Sequence, residues 1–285
     1  MRWLVTGAGG MLGRDLCAVL AEAGETGVVA APRAALDITQ AAAVRDGVAG
    51  VDVVLNAAGW TDVDGAETAE GAATAVNGDA VHVLAEAAGA RLFHISTDYV
   101  FDGAATAPYR EAAEPAPINA YGRSKAAGER AVLAAGGYVV RTAWLYGAHG
   151  RNFVRTILRL AGERDSVDVV ADQEGPPTWS YALATQVVAL ACAAAAGRAA
   201  PGVYHGTAGG QTTWYGLARA VFAEAGLDPA RVRPTTSDRF PRPARRPTYS
   251  VLGHDRWSGT GVRPLPYWRA MLTTAMPSMC PAPSE

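Results

Sequence analysis

Trp3-Leu4-Val5-Thr6-Gly7-Ala8-Gly9-Gly10-Met11-Leu12-Gly13 opens the chain. A short apolar run meets a glycine turn, and the turn runs straight into a helical pattern. Gly7, Gly10 and Gly13 stand at GxxGxxG spacing. Glycine permits the tight turn and lets backbone approach a pyrophosphate, which the helix N-terminus then faces. Gly7, Gly10, Met11, Leu12 and Gly13 are the first predicted cofactor contacts.

Working outward, apolar strands alternate with amphipathic helices. Met11 to Ala23 reads as the first helix and Val28 to Ala30 as the second strand. Val51 to Leu55 is a third strand, followed by a long helix over 68–88. Arg91 to Ser96 is a fourth strand, then a helix over 120–135 and a fifth strand over 138–142. This alternation predicts an α/β fold with a Rossmann-type, doubly wound parallel sheet. Residues 1–147 are expected to form the nucleotide-binding domain. Residues 148–285 are expected to be mainly a smaller substrate-binding domain, partly interleaved with the sheet. There, 152–163 and 185–196 read as helices, 167–170 as a strand, and the Pro- and Arg-rich 230–248 as an irregular loop. Residues after Met276 read as a frayed tail.

With 285 residues, 49% of them hydrophobic, the chain can bury a sizeable core. A net charge of −2 argues against a general nucleic-acid or membrane-surface binder. Cys17, Cys192 and Cys280 lie far apart and have no metal spacing. The first residues read as strand rather than leader, and no apolar run spans a bilayer, so a cytoplasmic location is expected.

Of the 25 basic residues, 24 are arginines and one is a lysine, Lys125. Where charge alone matters, either residue serves. A lone lysine marks a place where a compact ammonium does what a planar guanidinium cannot, unless it survived by chance. Its neighbours favour the first reading. Tyr121 stands four residues earlier, on the same helix face. Ser96-Thr97-Asp98 ends the preceding strand. Reducing a ketone takes a hydride on carbon and a proton on oxygen. A tyrosine hydroxyl donates that proton, a nearby ammonium lowers its pKa, and a hydroxyl from Thr97 steadies the oxygen as charge develops.

In many dinucleotide folds an acid ends the second strand and holds the adenosine ribose. Here the chain reads Ala30-Ala31-Pro32-Arg33. Arg33 suits a 2′-phosphate, so NADPH is predicted over NADH. Asp37-Ile38 lies slightly further on, where the adenine is expected.

Together these residues resemble the extended short-chain dehydrogenase/reductase family and, more narrowly, the dTDP-4-dehydrorhamnose reductase branch. The resemblance spans most of the chain. It rests on Gly7 to Gly13, Leu36-Asp37-Ile38-Thr39 and the stretch Asn56 to Asp64. It continues through Ser96-Thr97-Asp98-Tyr99-Val100-Phe101, Tyr121 to Lys125, and Arg141 to Gly147. Gln173-Glu174-Gly175-Pro176-Pro177-Thr178 and Ala208 to Trp214 complete it. The resemblance implies a catalytic Thr97–Tyr121–Lys125 set and a cofactor-lining loop at Ala57, Ala58 and Gly59. It implies dTDP-sugar contacts at Thr61, Val63, Thr97 and Trp144, and Arg246 on the diphosphate. It also places an asparagine, Asn77, in the long helix. The implied reaction is reduction of the 4-keto group of a dTDP-4-keto-6-deoxy-hexose.

Departures are equally specific. Relatives that bind magnesium do so through interface glutamates. Here the first-helix position is Asp15, and no glutamate stands near Tyr267-Trp268-Arg269. No metal site is predicted, magnesium stays an open alternative, and monomer and homodimer are both compatible. Sister dehydratases place an acid directly after Thr-Asp; here it is Tyr99. A non-catalytic regulatory subunit on this fold would not need Thr97, Tyr121 and Lys125 together. Arg239 to Arg246 has a single aromatic, Phe240, and not the interleaved stacking aromatics of a nucleic-acid site.

Overall fold

The computed structural model describes residues 1–279. Its centre is a six-stranded parallel sheet. The first five strands in chain order are β1 (Trp3–Thr6), β2 (Val28–Ala31), β3 (Val53–Asn56), β4 (Leu92–Thr97) and β5 (Tyr138–Thr142). The sixth, Gly202–His205, is contributed from much later in the chain. Across the sheet the order is Gly202–His205, β5, β4, β3, β1, β2. The chain leaves β1 for β2 on one side and returns to β3 on the other. That reversal creates the crevice at the strand ends where such sheets bind ligands. Register is tight: Trp3 pairs with both Val28 and Val53, and Thr97 with Thr142.

Alternating side chains bury both faces. Trp3, Val5, Val53, Leu55, Phe93, Tyr138 and Val140 face one way, against Leu16 and Leu20 of the first helix, Met11–Glu22, and against Leu183, Val187 and Leu190. Leu4, Val54, Leu92 and Val139 face the other way, against Val44, Val81, Leu84 and Val132. Each such side chain contributes about 1.5–3 kcal/mol by burial. The helix that supplies Leu183 to Leu190, Ser180–Ala195, begins five residues before its sequence pattern suggests. It lies against the first helix, so residues 180–205 return from the second half of the chain to the sheet.

The remaining elements pack around a second core of Tyr146, Val154, Ile157, Leu217, Val221, Phe222, Trp268, Met271 and Leu272. Its helices are Phe153–Glu163, Trp214–Glu224 and Trp268–Ala275. Two differences from the sequence reading appear here. Val232–Thr235, inside the expected irregular loop, is a strand pairing in parallel with Val167–Val170. Pro234 is tolerated because the ribbon has only two strands and so is all edge. Met276 and Met279 are buried against the second core rather than frayed. The rest of the expected tail, with Cys280, lies outside the described residues. Among the described residues no helix is long and apolar enough to cross a membrane.

The expected long helix over 68–88 is broken in kind but not in direction. Glu70–Thr74 is α, Ala75–Asp79 is a π-helical turn, and Ala80–Ala88 is α again. A π turn inserts one extra residue and redirects a side chain, often at a functional site. Here the redirected residue is Asn77. The helix Ala120–Ala134 packs against this turn so closely that a Cβ on Gly128 would lie 2.2 Å from the Asn77 carbonyl oxygen. Gly128→Ala is therefore expected to destabilise the chain by about 1–3 kcal/mol through overpacking. Gly162→Ala, at a helical site with nothing nearby, is expected to be neutral or stabilising by up to about 1 kcal/mol. Urea unfolding of both variants checks the contrast.

Candidate active site

A cleft of about 730 Å³ opens at the carboxyl ends of β1, β3 and β4. Gly7, Gly10, Met11, Leu12, Gly13, Arg33, Asp37, Ile38, Ala57, Ala58, Gly59, Thr61, Thr97, Tyr121, Lys125 and Trp144 all line it. Val63 and Arg246 do not.

The glycine turn is shaped by contact. Gly7 has φ +67°, and a Cβ there would lie 2.6 Å from the Ala58 nitrogen. A Cβ on Gly13 would lie 2.2 Å from the Gly7 carbonyl oxygen. No side chain caps the first helix at Gly10, so its first-turn N–H groups face the cleft without a side-chain partner. This cradle fits the pyrophosphate of a dinucleotide. Arg33, largely exposed, stands beyond β2 and pairs with Asp37 at 3.2 Å. Asp37 is held by the Thr39 N–H (3.0 Å) and hydroxyl (2.8 Å), which keep its carboxyl low. The Arg33 guanidinium retains donors for a phosphate.

Thr97 ends β4, and its hydroxyl donates to Asp98 Oδ1 at 3.0 Å. The Ala120–Ala134 helix carries Tyr121 and Lys125 on one face. It is capped by the Asn119 side chain, which accepts from the Gly122 N–H at 2.7 Å. Lys125 is buried and donates to the Ile95 carbonyl at 2.6 Å. Burial pushes its pKa down to about 8, opposed by the Glu129 charge. Burial pushes Tyr121 up to about 12, partly offset by hydrogen bonding to Thr97. The expected lowering of Tyr121 by an adjacent ammonium is not found: desolvation governs its hydroxyl.

Neighbouring residues hold this arrangement in place. Asn77 accepts from the Trp60 N–H (2.8 Å) and donates to the Trp60 carbonyl (3.1 Å) and the Ser124 hydroxyl (3.0 Å). It locks the loop after β3 to the helix bearing Tyr121 and Lys125. Trp144 has φ +49°, a left-handed conformation rare outside glycine. Its ring stacks on Trp214 at 3.6 Å, and Gly175 leaves room for it: a Cβ there would lie 2.5 Å from the ring. Trp214 in turn donates to Gln173 Oε1 at 3.2 Å. Val63 starts the short helix Val63–Thr68 beside the cleft. Arg246 is turned to Asp64 at 2.5 Å, and the Asn119 side chain holds the preceding Arg245 carbonyl at 2.9 Å. Asp15 is buried against Ser180 at 2.5 Å, which competes with any outward metal role. Among the described residues no three His, Cys, Asp or Glu side chains stand grouped to hold a metal.

Three residues of the site, Asp98, Asn56 and His94, were given no role in the sequence reading. Asp98 lines the cleft, and burial raises its carboxyl to about 7 against the hydrogen bond from the Thr97 hydroxyl; its Oδ2 has no partner among the described residues. Asn56, at the end of β3, and His94, inside β4, are sealed polar residues beneath Lys125. For Asn56 and His94 the available signal was a polar residue within or closing an apolar run, Val53-Val54-Leu55 and Leu92-Phe93-x-Ile95.

The family model described as RmlD substrate binding domain matches residues 1–280. The chain belongs to the dTDP-4-dehydrorhamnose reductase family. It is 52% identical to a dTDP-4-dehydrorhamnose reductase of Streptomyces griseus, over 98% of this chain and 94% of that one. It is 51% identical to a dTDP-4-keto-6-deoxy-D-glucose reductase of Streptomyces niveus, over 97% of this chain and 96% of that one. Among solved structures, the dTDP-4-dehydrorhamnose reductase of Bacillus anthracis in complex with NADP superposes with a TM-score of 0.90. It is 35% identical, with 96% of this chain and 98% of that one covered.

Asp98 carries a pH consequence. Its folded pKa lies above its unfolded value near 4. The stability tied to its protonated form is complete below about pH 4 and is lost as pH rises through 7. Asp98→Asn removes that loss. Thermal melts are expected to show the variant gaining on wild type between pH 5 and pH 8.5; an unchanged difference would contradict the buried-acid assignment.

Proposed function

We propose that the chain reduces the 4-keto group of a dTDP-4-keto-6-deoxy-hexose with NADPH. The observation that carries this reading is the meeting of Thr97, Tyr121 and Lys125 in one cleft with a glycine cradle. Gly7, Gly10, Met11, Leu12 and Gly13 would hold the pyrophosphate, with Ala57, Ala58 and Gly59 along its other side. Arg33 would take the 2′-phosphate and Asp37-Ile38 the adenosine end. NADH is then the poorer donor. When bound, the reduced nicotinamide supplies the hydride.

Tyr121 protonates the oxygen at carbon 4 as the hydride arrives. Thr97 donates a hydrogen bond to that oxygen and keeps it in register. Lys125 holds the ribose and, as an ammonium, favours the phenolate that Tyr121 leaves behind. Trp144 and Thr61 would flank the sugar nucleotide. Val63 and Arg246 contribute only if the Asp64–Arg246 pair opens. Residues 1–147, with the returning 180–205, would serve the cofactor; most of the remainder would serve the sugar nucleotide. We place the protein in the cytoplasm, as monomer or homodimer, with no nucleic-acid or membrane partner and no required metal.

A second reading is another dTDP-sugar 4-ketoreductase, such as one of an antibiotic deoxysugar pathway; the likeness to the Streptomyces niveus protein, named a dTDP-4-keto-6-deoxy-D-glucose reductase, favours a 4-ketoreductase with a different sugar. Following NADPH oxidation with a panel of dTDP-4-keto-6-deoxy sugars separates the two by preferred substrate. Silence with all of them, despite cofactor binding, would point to a regulatory subunit. Tyr121→Phe is expected to lower kcat by roughly 10²–10⁴-fold. Lys125→Arg keeps the charge yet is expected to lose most of the turnover; near-wild-type activity would remove the case built on the lone lysine. Arg33→Ala is expected to raise KM for NADPH about tenfold or more while leaving NADH nearly unchanged.

A further inference from the structure

Four buried side chains form a line from the first strand to the Ala120–Ala134 helix. The Thr6 hydroxyl donates to Asn56 Oδ1 at 2.7 Å. Asn56 Nδ2 stands 2.9 Å from His94 Nδ1, and His94 Nε2 stands 3.2 Å from Lys125 Nζ. Thr6, Asn56 and His94 have no exposed surface. In such a dry line every atom must be matched as donor or acceptor.

Ala58 sets the direction. Its backbone N–H can only donate, and it meets Asn56 Oδ1 at 3.1 Å. That end of the amide is therefore the oxygen, and the other end donates to His94 Nδ1. Nδ1 must then keep its lone pair, so the single proton of a neutral imidazole sits on Nε2. Nε2–H points at Lys125 Nζ. An ammonium has three hydrogens and no lone pair. A neutral amine has the lone pair, and still donates to the Ile95 carbonyl at 2.6 Å.

We infer that His94 is a positioning residue that favours the neutral amine of Lys125 in the cofactor-free protein, and that cofactor binding favours its ammonium, so that at alkaline pH Lys125 takes up a proton from solvent when the cofactor binds. The inference rests on the cofactor reading given above. Cofactor phosphates and ribose hydroxyls favour the charged form and offer it acceptors that His94 does not. The ammonium that assists Tyr121 is then held most firmly in the loaded cleft.

The surroundings agree. Burial, opposed by the Glu129 charge, lowers Lys125 to about 8, and burial with the Lys125 charge beside it puts His94 well below its ordinary value, so the imidazole stays neutral and the amine is within reach of deprotonation. On its own helix Lys125 is faced by Tyr121 and Glu129. Glu129 is already engaged by Arg141 of β5 at 2.7 Å and by the Ser96 hydroxyl at 2.5 Å. Asp98, past the end of β4, is itself raised to about 7. β1 and β3 present only the uncharged Thr6 and Asn56, and the π turn only Asn77.

The chain's single lysine makes the test direct. Protein grown with lysine labelled at Cε and Nζ yields one side-chain NMR signal. Its titration without cofactor is expected to have a midpoint near 8, and with saturating NADP⁺ a midpoint at least one unit higher. Histidine ¹⁵N spectra of the free protein are expected to show His94 protonated on Nε2. Calorimetry of cofactor binding at pH 8.5, in two buffers of different ionisation heat, is expected to read uptake of roughly 0.5–0.8 proton. The 2′-phosphate is fully ionised there and adds nothing. Asn56→Asp places acceptors on both Ala58 N–H and His94 Nδ1, moving the imidazole proton to Nδ1. Its Lys125 midpoint is expected to rise without cofactor, and the proton uptake to fall toward zero. Lys125 remaining an ammonium at pH 9.5 in the free protein, or His94 protonated on Nδ1 in wild type, would overturn the inference. So would cofactor binding without proton uptake. Failure to bind NADP⁺ at all would instead overturn the proposed function.

Discussion

The site depends on keeping one amine out of water at the carboxyl ends of a parallel sheet. A buried lysine is costly, and the fold meets that cost with fixed partners rather than solvent. Ile95 offers a carbonyl, His94 a ring nitrogen, and Asn56 and Thr6 fix the ring behind it. These groups come from three adjacent strands, β1, β3 and β4, so the register of the sheet is also the register of the site. Sliding any of those strands by one residue would put an apolar side chain where a polar partner stands.

The second half of the chain completes the cleft through contacts distant in sequence. Trp144 leaves β5 in a left-handed conformation and is held there by Trp214 and the bare backbone of Gly175. The Gln173 to Thr178 string, with Trp214, therefore works as a clamp on one aromatic ring. The helix 180–195 ties the same half back to the first helix, with Ser180 against Asp15.

Much of this was legible in the chain. Alternating apolar residues in Trp3 to Val5, Leu92 to Ile95 and Tyr138 to Val140 announced strands buried on both faces. Gly7 and Gly13 announced a backbone approach that no side chain allows. Tyr121 and Lys125 stood at helical spacing, and the lone lysine drew attention to itself. What stayed hidden was non-local or disguised. His94 sits among apolar residues and reads as core until Asn56 is seen beside it. The π turn at Asn77 packs against Gly128, a contact 51 residues away that local propensity does not announce. The strand at Val232–Thr235 was masked by Pro234 and its arginine-rich surroundings. The pairing of Arg246 with Asp64 joins residues 182 apart, which no spacing rule reaches.

The most direct measurement follows the hydride itself. The protein is incubated with NADPH carrying deuterium at both positions of nicotinamide C4 and a dTDP-4-keto-6-deoxy-hexose, and the sugar product is read by mass spectrometry and NMR. One deuterium at carbon 4 of the hexose, with none elsewhere on the ring, is the expected result. A product without deuterium, or with it at another carbon, would contradict the assignment of Tyr121, Thr97 and Lys125 to reduction at carbon 4.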